Sequence, residues 1–355
     1  MTPELGIIEG FFGRPYTWEE RTDMVRALAP AGYGFYLYAP KIDGHLRRRW
    51  REPYPDATLE HLAAFAQACR DAGARFGVGL SPYELFLDFD DAAKADLAAK
   101  LAQLDSLGLA DLGVFFDDMK GDLPELAPRQ VEIVHWIAER TAADRIIACP
   151  SYYTDDPVLD RVFGQRPASY LEDLGAGLDP AIELMWTGEE VCAREFSPGH
   201  LARVAEQMRR KPFLWDNYPV NDGPRMSRHL HLRAFTGRPA AMGAEISAHG
   251  INTASQAVLS RIPALTLAES YRDGDRYEYL AAFRRAAREV LGADLADAVE
   301  RTLLLLEDAG LDVITPEQME RLKARFGAFD HPAAREVLAW LEGAFAIGAE
   351  ELQTQ

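Results

Sequence analysis

Asp111-Leu112-Gly113-Val114-Phe115-Phe116-Asp117-Asp118 is the stretch from which the fold can be read. A short apolar run, bounded by Asp and Gly and carrying β-branched and aromatic residues, predicts a strand buried on both faces. Two adjacent acids stand at its carboxyl end, where a parallel α/β protein exposes its chemistry. Asp-Asp alone more often marks a solvated turn or a helix N-cap. The flanking sequence has to supply the rest of the argument.

Working outward, the same strand-then-helix rhythm recurs. Strands are expected at 5–12, 34–39, 75–80, 111–116, 145–149, 181–186, 212–215 and 241–246. Helical spacing covers 17–29, 59–72, 92–107, 125–143, 198–210 and 255–268, with Thr17 as an N-cap and Gly108 as a C-terminal stop. Eight strands alternating with helices predict an α/β (β/α)8 TIM barrel over residues 1–275. After Asp273-Gly274-Asp275 the pattern becomes amphipathic throughout, at 277–291, 295–309, 316–326 and 333–348. That predicts a C-terminal all-α helical bundle over 276–355, packed on the barrel or mediating a homodimer. No internal repeat or low-complexity segment interrupts this division.

The chain of 355 residues carries 38 basic and 56 acidic side chains, a net charge of −18. Such a field repels phosphate backbones and anionic lipid, so nucleic-acid and membrane-surface roles are disfavoured. One basic run, Arg47-Arg48-Arg49, interrupts it. The three cysteines are scattered, without Cys-x-x-Cys pairing, as expected of reduced thiols in a cytoplasmic protein. No signal peptide or membrane-length apolar stretch is visible.

Barrel enzymes work with residues at strand ends. Those ends supply Gly10, Lys41, Asp117, Asp118, Tyr153, Trp186, Thr187, Trp215, Asn217, Asp222 and Asn252. Acids, amides and aromatics together suggest a sugar pocket, with rings stacking on apolar sugar faces and polar groups meeting hydroxyls. Individually, Trp186 and Trp215 read better as core filling at the barrel top. There is no phosphate cradle, no Ser-His-Asp set and no His-Glu-x-x-His. His229-Leu230-His231 lacks nearby acids and reads as structural, so neither a metal nor a cofactor is expected.

At this point a family resemblance can be stated. Gly6-Ile7-Ile8-Glu9-Gly10-Phe11-Phe12-Gly13 and Tyr36-Leu37-Tyr38-Ala39-Pro40-Lys41 resemble the opening of glycoside hydrolase family 84. This family comprises β-N-acetylglucosaminidases and includes the protein O-GlcNAcases. Trp50-Arg51-Glu52-Pro53-Tyr54-Pro55, Phe116-Asp117-Asp118, Met185-Trp186-Thr187-Gly188 and Trp215-Asp216-Asn217-Tyr218-Pro219-Val220-Asn221-Asp222 resemble its later motifs in order. The resemblance implies Asp118 as general acid/base and Asp117 as the carboxylate that polarises the substrate's acetamido group. It implies that Tyr153 and Asn217 help position that group, that Trp215 lines its pocket, and that Gly10, Lys41, Asp222 and Asn252 bind sugar hydroxyls. Departures fall at Lys41-Ile42-Asp43-Gly44-His45-Leu46, where the family often has Lys-Asp-Asp-Pro-Tyr-His, at Asn252-Thr253, where it often has Asn-Pro, and at Phe12, where Tyr is common.

The expected substrate is a terminal β-linked GlcNAc glycoside, cleaved with retention through an oxazoline formed by the substrate's own acetamide. The natural aglycone, whether glycoprotein, cell-wall fragment or glycosaminoglycan, stays open. Strand neighbours point to opposite faces, so Asp117 and Asp118 can both reach one sugar only if the strand end twists. Asp118 is expected to have its pKa raised by Asp117 and by apolar surroundings. A sugar-binding barrel without catalysis would usually have lost one acid, and a metal-dependent hydrolase would need His ligands at the strand ends.

Overall fold

The computed structural model describes residues 2–348; Met1 and residues 349–355, the end of the expected bundle, lie outside the described residues. Eight parallel strands close into a barrel: β1 (Glu4–Glu9), β2 (Tyr33–Tyr38), β3 (Arg75–Leu80), β4 (Asp111–Phe115), β5 (Arg145–Cys149), β6 (Glu183–Trp186), β7 (Phe213–Asp216) and β8 (Ala248–Asn252). β8 pairs back to β1 in parallel register, Ile8 opposite Asn252. The strand ends at Glu9, Tyr38, Phe115, Cys149, Trp186, Asp216 and Asn252 therefore open on one face.

The barrel interior is filled by aromatic rings. Phe35 and Phe213 pack with centroids 5.3 Å apart, and Phe115 meets Trp215 at 5.3 Å. Gly113 is required beside them: a Cβ there would sit 2.4 Å from the Phe115 ring. Large rings thus take the place of the usual layers of branched side chains, with small residues opposite. At the amino end of the strands, buried Asp111 accepts from Arg145 Nε at 3.0 Å and Nη2 at 2.7 Å, and Arg145 also reaches Glu4 at 2.7 Å. Near the carboxyl end, buried Glu9 receives two bonds of 2.8 Å from Arg21 and one of 2.7 Å from Tyr36. Each acid is paired, which is the condition for burying it.

Seven of the eight strands lie where the apolar runs place them. The eighth does not. Ala240–Ala244 is a short 3-10 turn, and the strand is Ala248–Asn252. His249 and Gly250 break the apolar pattern of a buried strand there. His249 is nonetheless fully buried, because Asp216 of β7 and the hydroxyl of Tyr271 satisfy its ring at 3.0 and 2.8 Å. The helix that follows is accordingly Arg261–Asp273 (α8) rather than 255–268. Before it come α1 (Trp18–Leu28), α2 (Asp56–Asp71), α3 (Asp91–Asp105), α4 (Leu126–Ala138), α5 (Val158–Phe163), α6 (Tyr170–Gly177) and α7 (Pro198–Met208). α5 and α6 were not expected, being too short and interrupted to show a helical period.

The tail is helical: α9 (Tyr279–Leu291), α10 (Ala293–Leu303), extended by a π-turn over Leu304–Ala309, α11 (Pro316–Phe326) and α12 (Pro332–Leu341). Its core, around Phe283, Val299, Phe326 and Trp340, also takes in Leu230, Leu232, Leu259 and Ile262 from the barrel's loops and α8.

Candidate active site

β4 delivers the two acids. Its ladder continues one residue past the strand, Phe116 N–H donating to Cys149 O at 2.9 Å, and Ser151 Oγ donates to Phe116 O at 2.9 Å. The backbone then turns sharply, with Asp118 left-handed at φ 55°. Asp is one of the few side chains that tolerate this region, at some cost. The turn breaks the alternation of a strand, and both carboxylates line the same cavity, of about 270 Å³. That volume lies just below the roughly 300–1,000 Å³ usual for pockets that take drug-sized ligands, so the cavity suits a small one.

Gly10, Lys41, Asp117, Asp118, Tyr153, Thr187, Trp215, Asn217, Asp222 and Asn252 all line this cavity. Trp186 does not. Its ring is fully buried and its Nε1–H donates to His200 Nε2 at 3.0 Å. Consecutive residues at a strand end face opposite ways, so Thr187 takes the cavity and Trp186 the packing behind it.

Lys41 organises the acids. Its Nζ donates to Asp117 Oδ2 and lies 3.5 Å from Asp118 Oδ2, while Tyr153 OH donates to Asp118 Oδ1 at 3.0 Å. Asp117 Oδ1 is buried and has no hydrogen-bond partner among the described residues. The expected rise in the Asp118 pKa is not found. Burial works against its charge, but the Lys41 ammonium, then the Arg47 guanidinium and the Tyr153 hydrogen bond, hold its carboxyl below the usual range. Burial likewise opposes the charge on Lys41, and Asp117 and Asp118 outweigh it, keeping the ammonium protonated.

On the opposite wall, Asn252 Nδ2 donates to Asn217 Oδ1 at 3.0 Å, Asn252 Oδ1 accepts from Gly10 N–H at 3.3 Å, and Asn217 Nδ2 donates to Val191 O at 2.8 Å. Asp222 Oδ2 accepts from Phe12 N–H at 2.9 Å, and burial pushes its carboxyl up to about 6. Trp215 packs at a tilt against the barrel's Phe115, and a Cβ at Gly10 would lie 2.3 Å from the Trp215 ring, so only glycine admits this contact.

The strand-end reading missed Phe12, Cys149, Val191, Cys192, Val220, Gly223 and Met226, which also line the cavity. Val191 and Cys192 lie in the loop after β6, and no period in the sequence marks them. Burial raises the Cys192 thiol to about 12 and the Cys149 thiol well above its ordinary value, so both are neutral, weakly polar walls. His229 and His231 are elsewhere, each with Nδ1 on a backbone carbonyl, of Glu307 at 2.8 Å and of Pro219 at 3.0 Å.

A family model described as beta-N-acetylglucosaminidase matches residues 5–304. The protein O-GlcNAcases of Mus musculus and Rattus norvegicus are each 27% identical over 317 residues, which is 86% of this chain and 33% of theirs. This chain thus spans about a third of the length of those curated relatives. A solved structure of a Thermobaculum terrenum O-GlcNAc hydrolase mutant is 26% identical, covers 95% of this chain and 80% of its own, and superposes with a TM-score of 0.81. With a barrel, two adjacent acids at the end of β4 and a family match over most of its length, the chain belongs to the beta-N-acetylglucosaminidase family.

Proposed function

We propose that the protein is a retaining exo-β-N-acetylglucosaminidase that removes terminal β-linked GlcNAc by substrate-assisted catalysis. The observation that carries this reading is the state of Asp117. It is buried, one oxygen is held by Lys41, and the other has no partner among the described residues beside the acid Asp118. A 2-acetamido sugar presents an amide N–H that such an oxygen can accept, which polarises the acetamide and aims its carbonyl oxygen at the anomeric carbon. As Lys41 turns to the sugar, the buried Asp118 loses one counter-charge and takes up a proton; in the first step the acetamide oxygen bonds C1, the C1–aglycone bond breaks, and the departing oxygen takes that proton. The resulting oxazolinium, its N–H held by Asp117, is then opened by water at C1, whose proton returns to Asp118 as the acetyl oxygen leaves. Two inversions at one carbon retain its configuration. Positioned intramolecular attack supplies roughly 7–11 kcal/mol of the barrier and proton donation a further ~10²–10⁴-fold.

Tyr153 and Asn217 position the acetamide, and Trp215 lines its pocket. Gly10, Lys41, Asp222 and Asn252 meet the sugar hydroxyls. Thr187 completes the wall. The two thiols that line the cavity, Cys149 and Cys192, are held neutral and do not compete as nucleophiles. The test is an N-acyl series on one aryl glycoside. Rates are expected to fall steeply from acetyl through mono- and difluoroacetyl to trifluoroacetyl, because fluorine weakens the attacking oxygen while adding little bulk. A flat series, or an inverted first product by NMR, removes substrate assistance.

A further inference from the structure

The basic run at 47–49 contributes one member to the site. Arg47 is 4% exposed, although it belongs to a loop. That loop is pinned on three sides: Asp43 receives hydroxyl bonds from Tyr38 at 2.9 Å and Tyr54 at 2.7 Å, Leu46 O accepts from Ser81 N–H at 2.8 Å, and Trp50 is 2% exposed. From it the Arg47 guanidinium lies between the rings of Phe12 and Tyr83, 5.9 and 5.7 Å from their centroids. Its Nη2 donates to the main-chain carbonyl of Asp118 at 3.4 Å. That carbonyl belongs to the one cavity residue described with a left-handed non-glycine backbone.

We propose that Arg47 is a positioning residue for the acid: it secures the strained backbone of Asp118 and remains as its fixed counter-charge when Lys41 turns to the sugar. The inference rests on Asp118 being the acid, as read above. Two cations face Asp118. Lys41 is shared with Asp117 and is the one expected to bind substrate. Arg47 bonds main chain rather than side chain, so it need not move when the carboxyl rotates toward the leaving group. The other titratable groups around this carboxyl are Asp117, Tyr153 on its Oδ1, and Asp222 across the cavity. Cys149 lies beneath them as a neutral thiol. Among these, Arg47 and Lys41 are the cations; both favour the ionised acid, and Arg47 repels the Lys41 ammonium.

The test is the pH profile of kcat on an aryl GlcNAc glycoside with a poor leaving group, for the parent, Arg47→Met, Arg47→Gln and Arg47→Lys. kcat at saturation reports the acid in the substrate complex. Loss of the charge should move the alkaline limb up by about one pH unit or more in both neutral variants, while Lys keeps it near the parent. A purely structural role would lower kcat uniformly and leave the limb in place, overturning the inference. So would neutral variants that both fail to fold while Lys folds. A parent that hydrolyses no GlcNAc glycoside would instead sink the function reading itself.

Discussion

Within the cavity, Asp117 and Asp118 are neighbours in sequence with different surroundings, and on the proposed function this separates their roles. Asp118 has Tyr153 on one oxygen and two cations nearby; Asp117 has Lys41 on one oxygen and an open acceptor on the other. Asp118→Asn is expected to cost about 10²–10⁴-fold on glycosides with poor leaving groups and much less on activated aryl glycosides. Asp117→Asn should slow both alike, since the acetamide is no longer held. Measuring kcat/KM along a leaving-group series checks this, and the same slope in both variants would mean the roles are exchanged. Asp222 carries the second prediction. Its carboxyl, pushed up to about 6 by burial, ionises as pH rises from 5 to 7 and becomes the stronger acceptor for a sugar hydroxyl. GlcNAc should therefore bind more tightly at pH 7 than at pH 5 by isothermal titration. Asp222→Asn should bind weakly with no such step, and a parent that binds equally at both values would contradict it.

Between elements, the pocket walls are tied together beneath the surface by one cation. Arg238, 8% exposed, donates through Nε and Nη2 to Asp216 at 2.9 and 2.6 Å, and through Nη2 and Nη1 to the carbonyls of Ala193 and Arg194 at 2.8 and 2.6 Å. Asp216 stands between Trp215 and Asn217, and Ala193 follows Cys192, so Arg238 joins the end of β7 to the loop after β6. Removing one partner of a buried ion pair strands the other. Arg238→Met should lose about 3–5 kcal/mol in urea unfolding and raise KM at temperatures where it stays folded. An unchanged KM in a destabilised variant would confine Arg238 to stability. None of this was visible in the strand-end reading, because Arg238 lies in a loop with no periodicity and reaches the site through backbone carbonyls.

At the level of the whole molecule, the helical tail is bound to the loops that follow β7 and β8. Glu307 accepts from the N–H groups of Leu232 and Arg233 at 3.0 and 3.1 Å, and Glu336 from those of Val258 and Leu259 at 2.8 and 2.9 Å. Trp340, fully buried, donates to Ser227 O at 3.1 Å. Burial pushes both carboxyls up to about 7. Because their folded values lie above the unfolded one, their contribution to stability is full below about pH 4.5 and lost as pH rises through 7. Between pH 5.5 and 8.5 the thermal midpoint should fall, and Glu336→Gln together with Glu307→Gln should flatten that slope. Equal slopes in parent and double variant would show that these carboxyls do not titrate there. We propose the boundary near residue 275 as a domain limit. A chain ending there would expose the apolar faces that Leu230, Leu232, Leu259 and Ile262 turn to the tail, and is expected to be aggregation-prone on sedimentation.

Apolar runs closed by Gly, Pro or Asp determined seven strands, the barrel they imply and ten of the cavity's residues, because a buried parallel strand needs little more than its composition to be recognised. The motif from Trp215 to Asp222 and the Asp117-Asp118 pair were legible in the same way, and residues of both line the one cavity. What only the tertiary structure decided depends on partners distant in the chain. His249 is a strand residue because Asp216 and Tyr271 satisfy its ring. Asp117 and Asp118 share a cavity because the backbone turns left-handed between strand and loop. Trp186 lies behind the pocket, not in it, because Thr187 takes the inward position. Asp118 is held ionised because two cations from the loop after β2 outweigh burial, and a local sequence around the acid contains neither of them.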